Sequence, residues 1–207
     1  MPLLTALFAT ALLMALGLAL ALLGMGETTL AARDRDARAA EYAARAATAL
    51  GAAELRLLPS WSVVLRPGTP SELAGVSARV TDSSLTPAAP WGGTLDLRAL
   101  TSQLQAETDA AGVPGDAMAW RLFAYAPFSR FVPGPASSRL YLVVWVSDDR
   151  ADGDHDPSAD TNGSIVIHAE ALGSDGLRTA VEATIQRVPV TGGGPDVVRL
   201  LSVRPRP

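Results

Sequence analysis

The chain has 207 residues, a net charge of −4, and 17 basic residues that are all arginine. No basic field is available to attract nucleic acid, and with no cysteine the chain has neither a disulfide framework nor thiol chemistry. The 48% hydrophobic content is inflated by the first 26 residues, so it says little about the remainder.

Residues Pro2 to Gly26 form a run of 25 without a charge. A membrane-spanning helix needs about 20 apolar residues, and this run exceeds that. It leads directly into Glu27–Leu58, which is rich in alanine and charged residues, and no proline falls between Pro2 and Pro59. The pattern predicts one helix over 1–58, roughly 84 Å long at about 1.5 Å rise per residue. Its 2–26 portion suits lipid or a filament core, and its second half suits water. A cleavable secretory signal is the competing reading, since Leu18-Ala19-Leu20-Ala21 holds a small-x-small pattern. Against it stand the missing positive n-region and an apolar run longer than the usual 7–15 residues. The first arginine is Arg33, so either the translated start lies elsewhere or orientation is set by something other than flanking basic residues.

In the second half, Leu30, Ala37, Ala40, Ala44, Ala47, Leu50 and Leu57 recur at helical spacings and form one face. Opposite lie Arg33, Asp34, Arg35, Arg38, Glu41 and Arg45, with Asp34–Arg38 and Glu41–Arg45 as i,i+4 pairs. A face built mostly of alanine lets another element approach closely, and Pro59 stops the helix.

After the helix, 207 − 58 = 149 residues remain, enough for one ordinary domain with a core. This 59–207 head reads as β-rich α+β. Ser62–Arg66 and Thr94–Leu97 are short strand candidates, and Ala99–Ala111 is a helix bounded by Gly112 and Pro114. Ala119–Ala126 and Leu140–Ser147 are aromatic and β-branched, which favours strands. Ser164–Leu172 and Leu177–Val188 flank Gly173-Ser174-Asp175-Gly176, a hairpin signal, and Val197–Val203 is suited to close the sheet. In Ser164–Leu172, Ile165, Ile167, Ala169 and Ala171 alternate with Val166, His168 and Glu170, as in a strand buried on one face. Pro67–Gly93 and Phe128–Ser138 read as loops. The expected fold is an antiparallel sheet of about four or more strands packed on the C-terminal half of the long helix.

The densest polar segment is 148–163, with six aspartates and one asparagine in sixteen residues between two strands. Like charges at that density repel unless they are solvated, screened or bridged. Calcium takes six to eight oxygens, which alternating carboxylates on a flexible loop can supply. Asp148, Asp152, Asp154, Asp156, Asp160 and Asn162 are the candidate metal ligands. The loop is not an EF-hand: Pro157 follows Asp156, and Gly163 stands where the bidentate glutamate would be when counting from Asp152. The alternative is a solvated loop held by Asx turns. Asn162-Gly163-Ser164 also fits a glycosylation sequon.

Catalysis finds no support. The chain has no Gly-x-Ser-x-Gly, His-Glu-x-x-His, Walker A or dinucleotide fingerprint. Gly192-Gly193-Gly194-Pro195 is read as a loop because no helix follows it. His155 is expected in the exposed loop, and His168 in a strand, facing solvent or satisfied by a neighbour. Glu170 and Glu182 resemble a carboxylate pair only as ordinary charged strand positions would. Trp61, Trp91, Trp120 and Trp145 are assigned to core and edge packing.

The apolar half-helix, the amphipathic half-helix and the β head together resemble type IV pilin-like proteins. Glu27-Thr28-Thr29-Leu30-Ala31-Ala32, Arg35-Asp36-Ala37 and Glu41-Tyr42-Ala43-Ala44 resemble the N-terminal consensus of PilX-type minor pilins and of tip-located minor pseudopilins of type II secretion. The likeness covers the first third in motif detail and the rest only in architecture and the acidic loop. It implies a structural subunit and not an enzyme. Such a subunit sits single-pass in a bacterial inner membrane with its head outside the cytoplasm, then passes into a filament by packing on other pilins or pseudopilins. It also implies calcium in the acidic loop, as in some pseudopilins. A membrane-anchored envelope binding module, with the helix as tether, is the second reading. The start Met1-Pro2-Leu3-Leu4-Thr5 departs from the family's basic leader and from its glutamate at the fifth mature position. In the family that glutamate helps register each new subunit against the previous one, and tip pseudopilins characteristically lack it. The departure fits a tip or initiating subunit, or a true start elsewhere.

Overall fold

The computed structural model describes residues 2–67, 85–112, 118–131, 134, 139–188 and 196–206. The chain divides into two compact units, Met1–Arg38 and Ala39–Pro207. Helix α1 (Pro2–Leu55) supplies all of the described first unit and the opening of the second. The first unit is helix alone. Residues 2–38 are exposed throughout, including Leu3, Leu7, Phe8, Leu12 and Leu16. This helix is long and apolar enough to cross a membrane. The expected Asp34–Arg38 and Glu41–Arg45 pairs form at 2.9 and 2.6 Å. Both are solvent-exposed, and such pairs are worth about 0.3–0.5 kcal/mol each.

The second unit is α+β. A one-turn helix α2 (Ser62–Leu65) and helix α3 (Leu97–Ala111) precede five strands: β1 (Arg121–Pro127), β2 (Tyr141–Asp148), β3 (Ser164–Leu172), β4 (Arg178–Val188) and β5 (Val197–Arg206). They form one sheet in the order β1-β2-β3-β4-β5, antiparallel throughout. The β3–β4 turn has Asp175 and Gly176 at φ 57° and 75°, left-handed backbone that glycine adopts without penalty.

Every residue of β2 and β3 is buried, and the two-residue side-chain period divides them between two cores. Leu142, Val144, Val146, Ile165, Ile167, Ala169 and Ala171 pack with Ala40, Ala43, Ala44, Ala47 and Leu55 of α1. Tyr141, Val143, Trp145, Val166 and Leu172 pack with Leu97 and Leu104 of α3 and with Trp120. A Cβ built on Gly51 would stand 3.3 Å from Val144 Cγ1 and 3.9 Å from Ile167 Cγ2, so α1 rests closely on the sheet there. The alanine face predicted from periodicity holds at Ala40, Ala44 and Ala47. Leu30 and Leu57 are exposed, and the buried stripe continues through Thr48, Gly51 and Leu55 instead.

Three expectations are corrected. Ser62–Arg66 is not a strand. Trp61 turns back to donate from Nε1 to Leu55 O at 2.9 Å, and the following turn buries Val64 and Leu65 in the α1-side core. A short β-branched run has no fixed conformation of its own, and packing decides it. Thr94–Leu97 is not a strand of the sheet; it pairs only locally with 85–88, through a bridge between Ala88 and Thr94 and backbone bonds from Leu95 N to Pro87 O at 2.9 Å and Leu97 N to Leu85 O at 3.0 Å. Asp96 then caps α3 by accepting from Ala99 N at 2.9 Å, so that helix begins at Leu97 and not at Ala99. Ser164–Leu172 is buried on both faces, not one, because it is the central strand between two helical covers. Of the expected loops, Phe128–Arg130 closes a short 3-10 turn. The Gly192–Pro195 loop and most of 67–93 and 128–138 lie outside the described residues. Trp61, Trp120 and Trp145 are core residues, and Trp91 packs at the edge of the α3-side core.

The close approach at Gly51 yields a prediction. Gly51→Leu should destabilise the β head by about 1–3 kcal/mol through overpacking, read as a lower urea midpoint for the sheet. An unchanged midpoint would mean that α1 does not rest on Val144 and Ile167.

Candidate metal centre

Strand β2 ends at Asp148, and the chain then turns through 149–163 to enter β3 at Ser164. The end of the sheet thus fixes Asp148, while the other acidic groups depend on how the loop folds. Carboxylate oxygens of Asp148, Asp152 and Asp154 lie within 4.8 Å of one another. Oxygens bound at about 2.3–2.6 Å from one calcium ion can be no farther apart than about twice that distance, so a single cation fits the three. Asp148 and Asp152 are buried and Asp154 is exposed.

Asp148 is the unusual member. It is only 5% exposed, and its Oδ1 is buried with no hydrogen-bond partner among the described residues. Burial, then the neighbouring charges of Asp152, Asp149 and Asp160, push its pKa up to about 7, although a backbone hydrogen bond from Asp149 opposes the rise. A cavity of about 20 Å³ lies against it, lined by Met118, Asp148, Asp149, Arg150, Asp152, His155 and Pro157. That is room for one water-sized species. Arg150 brings a positive charge to the same wall and donates from Nε to Met118 Sδ at 3.2 Å.

The other three predicted ligands make hydrogen bonds within the loop. Asp156 accepts from Ser158 N at 2.9 Å and Ser158 Oγ at 2.6 Å, which holds its carboxyl below the usual range. Asp160 accepts from Gly163 N at 2.8 Å and Ser164 N at 3.1 Å, while its burial raises its pKa against those bonds. Asn162 accepts from Ser164 N at 2.7 Å and donates to Asp149 Oδ1 at 2.7 Å. These are the Asx-type turns of the alternative reading, and they build the frame on which the three converging carboxylates stand. Asp152 belongs to both groups. The hydroxyl and the amide of Thr161 donate to it, the amide at 2.7 Å, and they hold its pKa down against burial.

The donor set is all carboxylate oxygen, which suits a hard divalent cation such as calcium. Three carboxylates leave further positions of a six-to-eight coordination shell for main-chain oxygens or water.

A second polar cluster was not foreseen from the sequence. His168 and Glu170 are buried on the α3 face of β3, with His168 Nε2 2.9 Å from Glu170 Oε1. Arg178 donates to the same carboxylate at 2.8 and 2.6 Å. Burial alone would raise Glu170, but the bonds from His168 and Arg178 prevail and hold it below the usual range. Glu182, opposite His168 in the register, is also buried and accepts from Arg204 and Arg206. Of the two outcomes expected for His168, the neighbour-satisfied one is found at Nε2. The available signal was the i,i+2 spacing of His168 and Glu170 in an apolar strand, which puts both on one face.

Asp148 makes the site pH-sensitive, and the sign follows from its raised pKa. The folded form holds the proton more tightly than the unfolded chain between about 4 and 7. Its contribution to stability therefore falls as pH rises through that window. With chelator present, urea denaturation should show the head losing stability from pH 5 to pH 7.5, and Asp148→Asn should flatten that slope. An equal slope in the variant would remove Asp148 from the account.

No protein-family model, curated protein or solved structure matches this chain.

Proposed function

We propose that this chain is a minor pilin-like structural subunit, of a type IV pilus or of a type II secretion pseudopilus, acting at the tip or in initiation. The observation that carries the reading is the single 54-residue helix α1. Its first 25 described residues have no charge, and its residues from Ala40 onward give the antiparallel sheet a small-residue face to rest on. In this reading the N-terminal part waits in the lipid of a bacterial inner membrane, with the head outside the cytoplasm. Assembly exchanges lipid contacts for contacts with the helices of other pilins or pseudopilins. The driving force is close packing of apolar side chains, since lipid is as apolar as leucine and offers no hydrophobic gain. The head and its loops stay outside that packing and meet neighbouring subunits.

A tether for an envelope binding module is the competing role. It needs the apolar span but not a helix that runs without interruption from the span into the packed face of the head. Leu16→Arg separates the two roles from simple loss of the protein when membrane and filament fractions of the native host are both measured. The variant should remain detectable in membranes, because a central arginine costs about 2.5–3.5 kcal/mol on the insertion scale. It should vanish from sheared filaments or from cross-links to other pilins. Wild-type amounts in the filament fraction would defeat the subunit reading.

The same reading gives Asp148, Asp152 and Asp154 a calcium ion that cancels their mutual repulsion and fixes the loop, with Asp156, Asp160 and Asn162 as its supporting frame. Calcium at 100 times its Kd should then raise the stability of the head by about 2.7 kcal/mol, seen as a higher urea midpoint. Asp148→Asn should abolish the increase. An equal increase in the variant, or none in the wild type at millimolar calcium, would reject the site.

A further inference from the structure

β5 differs from every other strand of the sheet. None of its ten residues is buried, whereas β1, at the opposite edge, buries four of its seven. Val197, Leu200, Leu201 and Val203 are between 43% and 58% exposed. An edge strand also points alternate N–H and C=O groups away from the sheet, so among the described residues β5 offers unpaired backbone and apolar side chains together.

The register sorts its side chains by chemistry. Arg204 lies opposite Glu182 and Arg199 opposite Gln186, on the face shared with His168 and Trp145. Arg206, two residues beyond Arg204, also reaches Glu182, at 3.2 Å. Val198, Leu200 and Val203 lie opposite Arg187, Ile185 and Ala183, on the face that carries α1. β5 is therefore a strand with an arginine face and an apolar face, and it contains no acid. Glu182 answers two of the three guanidiniums with one carboxylate, and Arg199 makes no ion pair among the described residues. The chain as a whole is acidic, with a net charge of −4, so the cationic edge runs against the general charge.

We infer that β5 is a docking edge for an extended segment of a partner protein, one that carries carboxylates at alternate positions with apolar residues between them. Main-chain pairing supplies affinity in such strand addition, and alternate side chains supply specificity. Added antiparallel or parallel to β5, the segment places its carboxylates beside Arg199 and Arg204. Its apolar residues then lie beside Leu200 and Val203, extending the α1-side core. A second copy of β5 is a poor occupant, because two-fold pairing would set the two arginine faces side by side. The bulge at Leu201, where the register with β4 shifts between Thr184 and Ile185, must be matched by the added segment, and Pro205 ends the pairing. The usable edge is Val197–Arg204.

The test uses the full chain in detergent and a fluorescein-labelled decapeptide of alternating glutamate and valine. A lysine–valine decapeptide is the control. Fluorescence anisotropy should show saturable binding of the glutamate peptide that weakens with salt, and hydrogen-exchange protection should fall on 197–204. Arg199→Glu, at an exposed position, should leave the thermal midpoint unchanged and weaken binding about tenfold. Equal binding of the lysine peptide, protection elsewhere in the head, or no binding at millimolar peptide would overturn the inference. So would peptide-independent self-association through β5.

Discussion

The whole head depends on two central strands that cannot face water on either side. β2 and β3 are buried along their full lengths, so each face of the sheet needs a cover. α3 covers one, with Leu97 and Leu104 against Trp145 and Val143. α1 covers the other, with a stripe of alanines and Gly51 against Val144 and Ile167. Small residues make this second cover possible, because they bring the helix backbone close to the strands without voids. The helix that carries the apolar N-terminal run is thereby also a structural wall of the head. Removing it would strip the helical stripe from that face and leave it only the smaller cover of Trp61, Val64 and Leu65.

Burial on both faces also explains where the polar groups sit. The α3 side holds His168, Glu170 and Glu182 in a buried network that arginines reach from outside. A buried carboxylate survives only when it is paired and hydrogen-bonded, and Arg178 and Arg204 meet that need. Asp148 is the exception. It stands at the buried end of β2 with one oxygen unanswered and with other aspartates as neighbours. The mismatch between its environment and its charge is the physical reason for proposing a cation there, and acidity of the loop alone would not be enough. β5 is the opposite case, a strand that neither helix covers.

Signals that report local geometry were legible in the sequence, and those that depend on tertiary packing were not. The apolar run from Pro2, the alanine spacing at Ala40, Ala44 and Ala47, and the turn at Gly173–Gly176 all report local geometry that tertiary packing leaves alone. Ser62–Arg66 misled because Val63 and Val64 favour a strand until Trp61 folds back onto Leu55. Ser164–Leu172 reads as half-exposed because His168 and Glu170 suggest solvent, and nothing local reveals that Arg178 will pair with Glu170 and Glu170 with His168. For the acidic loop, residue type announced a cluster, but not which members converge. Asp148, Asp152 and Asp154 come together, while Asp156, Asp160 and Asn162 each accept from backbone amides of the loop. That division depends on the path of the loop, which spacing alone does not determine.

One helix serves two packing tasks in this account, holding the sheet with its alanine face and carrying an apolar run suited to lipid and to the core of a filament. The proposed subunit role turns on how the cell processes that apolar run. Mass spectrometry of the N-terminus, on protein from native envelopes, is the most direct test. A cleaved, N-methylated first residue is the predicted result, because prepilin processing leaves that mark. An intact, unmodified Met1, or cleavage after Ala21 that discards the apolar run, would contradict the account.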